Sequence, residues 1–169
     1  MVIKWRRAIN MKLNTASAVI SFAKELEENS TRYYENLIQK YAQDKETFLA
    51  FIKENKKNIV SVQRVYYEVI TDAIEGCFSF EGLDTDNYIF NQKVSADASY
   101  SNVLESAIKM EEKIQKFYLD SAEVSKSLMA DIPRLFERIA QKRDNRKIQL
   151  ESIYNKSRIN YEVIYDRED

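Results

Sequence analysis

The chain has no histidine, one cysteine, one proline and two glycines among its 169 residues. The missing histidine excludes imidazole metal ligands, histidine general bases and the Ser-His and Cys-His pairs of nucleophilic hydrolases. The lone Cys77 excludes an intramolecular disulfide and any site of clustered thiolates, and it reads as a small buried hydrophobe. So little glycine and proline argues against an all-β fold, which needs many tight turns, and for long helices with few connections. The net charge of -1 removes any bulk electrostatic case for nucleic acid or an anionic membrane surface. No apolar run reaches transmembrane length and the N-terminus lacks the apolar core of a signal peptide, so the expected location is the cytoplasm.

What is present points one way. The length suits a single domain with a proper core. Eleven tyrosines and eight phenylalanines can fill it. After Asn14 or Thr15, either able to cap a helix, apolar and small residues recur at helical spacing through Ile20, Ala23, Glu27, Ser30, Tyr34, Leu37 and Tyr41. A polar connection at Gln43-Asp44-Lys45 leads to a second helix reaching about Ile74, with Phe48, Phe51, Ile52, Asn55, Ile59, Val62 and Tyr66 inward. Residues 76–99 lose the helical pattern, and both glycines lie there. A stretch that long, free of helix, fits a crossover along the length of a bundle. A third helix is expected from Tyr100 to Lys126, with Leu104, Ala107, Glu111, Ile114, Tyr118 and Ser121 inward. Pro133 then opens a fourth helix, with Phe136, Ile139, Arg143, Arg146, Leu150 and Ile153 inward.

The expected architecture is therefore all-α: a four-helix bundle over residues 15–157, made of two helical hairpins joined by one long crossover. Residues 1–13 form an arm that is basic and amphipathic, read chiefly as a docked or frayed terminus and alternatively as a membrane anchor. Residues 158–169 form a tail whose Ile159-Asn160-Tyr161 starts with strand-like alternation, leaving strand, partner-reaching arm and helix continuation open.

The two hairpins are internal copies. Glu27 lies seven residues before Tyr34, and Glu111 lies seven before Tyr118, so each pair shares one helix face two turns apart. Phe48 maps onto Phe136, Asn55 onto Arg143, Asn58 onto Arg146 and Tyr66 onto Tyr154, which predicts pseudo-twofold packing. The remaining problem is electrostatic. A carboxylate on the buried stripe of a helix is costly unless something pairs with it.

The run Ala107-Ile108-Lys109-Met110-Glu111-Glu112, the repeated Glu-to-Tyr spacing, the Gly82-Leu83-Asp84 crossover and the Ser99-Tyr100 lead into the third helix resemble the ferritin-like superfamily, in its rubrerythrin-type branch. The resemblance covers residues 15–157. It implies a central di-iron or di-manganese site, with one Glu from each of two helices and a Glu-x-x-His pair from each of the other two. Glu27 and Glu111 match the single acids. The paired motifs are replaced by Asn55-Lys56-Lys57-Asn58 and Arg143-Asp144-Asn145-Arg146. Glu54 and Asp144 stand one position off, about 100° round their helices, and are expected to miss the centre.

Glu27 and Glu111 balance Arg143 and Arg146 in charge, and guanidinium groups match carboxylates in a planar, bidentate way. The arginines are expected to fill the space of the metals, with Asn55 and Asn58 bonding what remains and the Tyr34 and Tyr118 hydroxyls meeting the polar centre. This predicts no cofactor and a non-catalytic structural, interaction or small-ligand role. The alternative is a metal-binding oxidoreductase or storage protein, with Glu27 and Glu111 holding Fe or Mn. An anion held by Arg143 and Arg146 ranks below both, since the two acids oppose it. The resemblance also implies a homodimer, and the tail offers a means of reaching a partner.

Overall fold

Thr15 has extended backbone, and its hydroxyl accepts a hydrogen bond from the Ala18 N–H at 3.1 Å, which starts the first helix. The computed structural model describes residues 12–69, 82–126 and 131–165. The described residues contain four α-helices: α1 (Ala16–Lys40), α2 (Lys45–Val69), α3 (Tyr100–Val124) and α4 (Asp131–Tyr165). Ser99 caps α3 by accepting from the Asn102 N–H at 3.2 Å. Pro133 sits in the first turn of α4, where its missing N–H costs nothing.

α1 packs chiefly on α2, and α3 on α4. The hairpins then meet through α1 against α3 and α2 against α4. Cross-helix contacts give the directions. Phe22 near the start of α1 meets Phe117 near the end of α3, and Tyr41 just past α1 meets Tyr100 at the start of α3. Neighbouring helices are thus antiparallel, while α2 and α3 run the same way. The chain must travel the whole bundle between them, and residues 82–99 do so along the α1–α3 side.

The start of the described crossover is pinned by a two-stranded ribbon, β1 (Lys12–Leu13) against β2 (Leu83–Asp84), with Leu13 fully buried. Gly82 is required there, because a Cβ would lie 1.9 Å from Asn14 Oδ1 and 2.8 Å from Lys12 Cβ. Tyr88 packs its ring against both Phe22 and Phe117 and donates to Asp120 at 2.7 Å. At the far end Lys40 donates to the carbonyls of Ser95 and Ala96, both at 2.7 Å, and the Tyr41 hydroxyl donates to that of Ala98 at 2.5 Å. This connection, with one short strand and one 3-10 turn, is held in place because backbone acceptors in it are met by side chains at the end of α1.

Of the three readings left open for the tail, helix continuation is the one observed: α4 runs on to Tyr165. No glycine or proline follows Pro133, and extending a helix needs no new nucleus, so a brief alternation does not end it. α3 starts at Tyr100 and ends at Val124, close to the expected bounds. Tyr33, which is not on the inward stripe that carries Tyr34, is also buried, against α3 with its hydroxyl donating to the Val103 carbonyl at 2.8 Å. Cys77, the end of the second helix at Ile74, residues 76–81 of the crossover and nearly all of the N-terminal arm lie outside the described residues. Among the described residues no helix is long and apolar enough to cross a membrane.

Candidate functional site

Midway along the bundle, the apolar stripes of all four helices carry polar residues at the same level. Glu27 and Ser30 come from α1, Asn55 and Asn58 from α2, Glu111 from α3, Arg143 and Arg146 from α4. All are buried, the most exposed being Arg146 at 2%. The spacing that places them is that of the core residues around them, so the same packing that buries Leu26 and Ile114 carries the charges inward.

Arg143 is the hub. Its Nη1 donates to both oxygens of Glu111, at 3.0 and 2.9 Å, and to Ser30 Oγ at 3.2 Å. Its Nη2 donates to Glu27 Oε2 and to Asn55 Oδ1, the latter at 3.0 Å. One guanidinium therefore joins two carboxylates from different hairpins. The tyrosines complete the cluster by crossing over. Tyr34 of α1 donates to Glu111 of α3 at 2.5 Å, and Tyr118 of α3 donates to Glu27 of α1 at 2.8 Å. The pseudo-twofold expected from the internal copies is realised in this exchange. Asn58 Nδ2 approaches both oxygens of Glu27 at 3.4 Å, and Asn55 Nδ2 donates to Ser30 and Thr31.

Arg146 is buried beside Arg143 but leans toward the edge of the cluster. Of the two acids it pairs only with Glu111, at 3.7 Å, and its shorter contacts lie elsewhere. Its Nη1 donates to Asn55 Oδ1 at 2.6 Å, its Nη2 to the Phe51 carbonyl at 3.2 Å, and its Nε to Glu54 Oε2 at 2.8 Å. Its guanidinium carbon lies 5.0 Å from the centre of the Phe51 ring. Glu54, expected to miss the site, thus belongs to its rim, where Lys142 also approaches it at 3.5 Å. The helical offset of Glu54 is as expected; the long arginine side chain leans out to meet it. Asp144 does point away, toward Lys147 at 3.6 Å. Lys56 and Lys57 face solvent as expected.

The electrostatics follow from burial. Burial works against a charge on Arg143, but Glu111 and Glu27 outweigh it and hold the guanidinium well above its ordinary pKa. Burial, then the neighbouring carboxylates Glu111 and Glu27 respectively, push the phenols of Tyr34 and Tyr118 well up. Burial raises Tyr33 to about 12. Burial also opposes the charge of half-exposed Glu54, yet Arg146 and Lys142 leave its carboxyl below the usual range. Such a network need not stabilise the fold more than apolar packing would, but a member left alone is costly.

The raised tyrosines make the fold alkali-sensitive. A phenol whose folded pKa exceeds its unfolded value of about 10 contributes stability that is full below that pH and is lost as pH rises toward the folded value. Urea unfolding at successive pH values above about 9 should show stability falling steeply in the wild type and less steeply in the Tyr34→Phe/Tyr118→Phe variant. Parallel slopes would show that these two phenols do not titrate differently on folding.

The donor set does not fit a di-metal centre. All four oxygens of Glu27 and Glu111 accept hydrogen bonds within the cluster, Asn55 Oδ1 accepts from both arginines, and a cation between the acids would meet the charge of Arg143. Among the described residues no group of three His, Cys, Asp or Glu side chains is placed to hold a metal ion.

Comparison of the chain with protein-family models, with curated proteins and with solved structures gives no match. The fold and the site by themselves define an all-α four-helix bundle with a buried salt-bridge network at its centre.

Proposed function

We propose that the chain is a ferritin-like, rubrerythrin-related bundle in which a fixed ionic core stands where relatives of that type hold two metals, and that its role is non-catalytic: structural, interaction or small-ligand binding. The observation that carries this reading is Arg143, whose single guanidinium joins Glu27 and Glu111 at the level where the resemblance implies a metal pair. The order of the helices, the crossover and the reciprocal Tyr-Glu exchange support it.

Two titrations test it. The purified chain should take up no stoichiometric Fe²⁺ or Mn²⁺ and show no peroxide-dependent turnover; either would overturn the loss of metal chemistry. The variant Asn55→Glu/Asn58→His/Arg143→Glu/Arg146→His recreates four central carboxylates and two imidazoles. It should gain Fe²⁺ or Mn²⁺ binding, and a folded variant without that gain would count against the ferritin-like geometry. The same reading includes pairing of two copies through residues 159–165. Light scattering on a chain ending at Ser157 should then give a smaller particle than the full chain, and an unchanged mass would remove the tail from the interface.

A further inference from the structure

Outside the buried cluster, the described residues form a groove of about 470 Å³ between α2 and α4, directly above Arg146. Its walls carry Lys53 and Lys57, one turn apart on α2, and Lys142 on α4. Its floor is Glu54 and Arg146. Four cationic side chains against one carboxylate leave a net of three positive charges, in a protein whose total is -1. The floor pair is internally satisfied, since Glu54 bonds Arg146 and is approached by Lys142. Lys53 and Lys57 form no ion pair among the described residues. Many surface lysines elsewhere have an acidic neighbour three or four residues along their helix, such as Lys109 with Glu105 and Lys116 with Asp120.

We propose that this groove binds a small molecule carrying two or more negative charges, held by Lys53 and Lys57 from one wall and Lys142 from the other. The volume is that of small-ligand sites, which run from roughly 300 to 1,000 Å³. Lysine suits the task as a mobile point charge that can close on phosphoryl or carboxylate oxygens. Asn145 and Gln149, also lining the groove, add neutral polar side chains capable of hydrogen bonding. Glu54 has two effects. It fixes Arg146 as a rigid floor, and its charge limits affinity, so the site favours a multiply charged ligand over chloride. The proposal does not depend on the metal history of the core, because the groove lies outside it.

Isothermal titration of the full chain with pyrophosphate and, separately, citrate tests the assignment and distinguishes phosphoryl from carboxylate recognition. At least one should bind one-to-one and weaken as salt rises. Lys53→Gln/Lys57→Gln removes two exposed charges without touching the core and should weaken binding about tenfold. Lys109→Gln/Lys116→Gln makes the same change in net charge on α3 and should leave affinity unchanged. Glu54→Gln should strengthen binding, with circular dichroism confirming that the variant is folded. The proposal is overturned if neither anion binds, or if the two double-lysine variants lose affinity equally.

Discussion

Arg143→Met should cost about 3–5 kcal/mol of folding stability, measured by denaturant unfolding, because it leaves two buried carboxylates without their cation. That is a large part of the roughly 5–15 kcal/mol available to a domain. Arg143→Lys should not recover it, since one ammonium cannot reach Glu27, Glu111, Ser30 and Asn55 with the planar fork that serves all four. Replacing the three charges together, as Glu27→Gln/Glu111→Gln/Arg143→Met, should restore most of the loss, because no member is then left charged and alone. A small loss in the single variant would mean that water reaches the cluster and screens it. Failure of the triple variant to recover would mean that shape at this level matters more than charge.

Tyr34→Phe and Tyr118→Phe should each lose about 1.5–3 kcal/mol, the range for a hydrogen bond to a charged group. Their rings would stay packed, Tyr34 against Phe48 and Phe51, Tyr118 against Phe117 and Phe136. The loss is therefore that of the hydroxyl. The two hydroxyls hold equivalent carboxylates in opposite hairpins, so the losses should match within about 1 kcal/mol. Coupling should be strongest across the hairpins: a double-mutant cycle of Tyr34 with Glu111, which bond directly, should show a larger interaction energy than one of Tyr34 with Glu27, which are joined only through Glu111 and Arg143. Coupling confined to Tyr34 with Glu27 would place the hydroxyls on their own helix and remove the exchange.

Much of this was legible before any coordinates. Helical spacing put Glu27, Asn55, Glu111, Arg143 and Arg146 on inward faces, the family resemblance added Asn58, and each is buried. The copy of Glu27 and Tyr34 at Glu111 and Tyr118 marked one level in both hairpins. A periodic pattern reports which face of a helix is inside, because burial of that face is what the pattern encodes. It does not report which helix lies opposite. The exchange of Tyr34 to Glu111 and Tyr118 to Glu27 depends on α1 being antiparallel to α3, and so does the burial of Tyr33, which lies off the Tyr34 stripe and is covered by α3. Glu54 was misjudged for a related reason. Its helical position was correct, but the arginine that meets it has a side chain long enough to leave the centre.

The sequence by itself determined the class: long helices for want of glycine and proline, a crossover where periodicity fails, no histidine chemistry, and acids buried opposite arginines. Only the tertiary structure decided how the charges are shared. Two arginines and two glutamates are balanced in any arrangement, and composition cannot choose among them. Packing chose, by seating Arg143 between both carboxylates and turning Arg146 toward Asn55 and Glu54. The physical reason is the range of the forces. Local propensity acts along one helix, whereas a buried hydrogen-bond network is set by where four helices bring donors and acceptors within about 3 Å of each other.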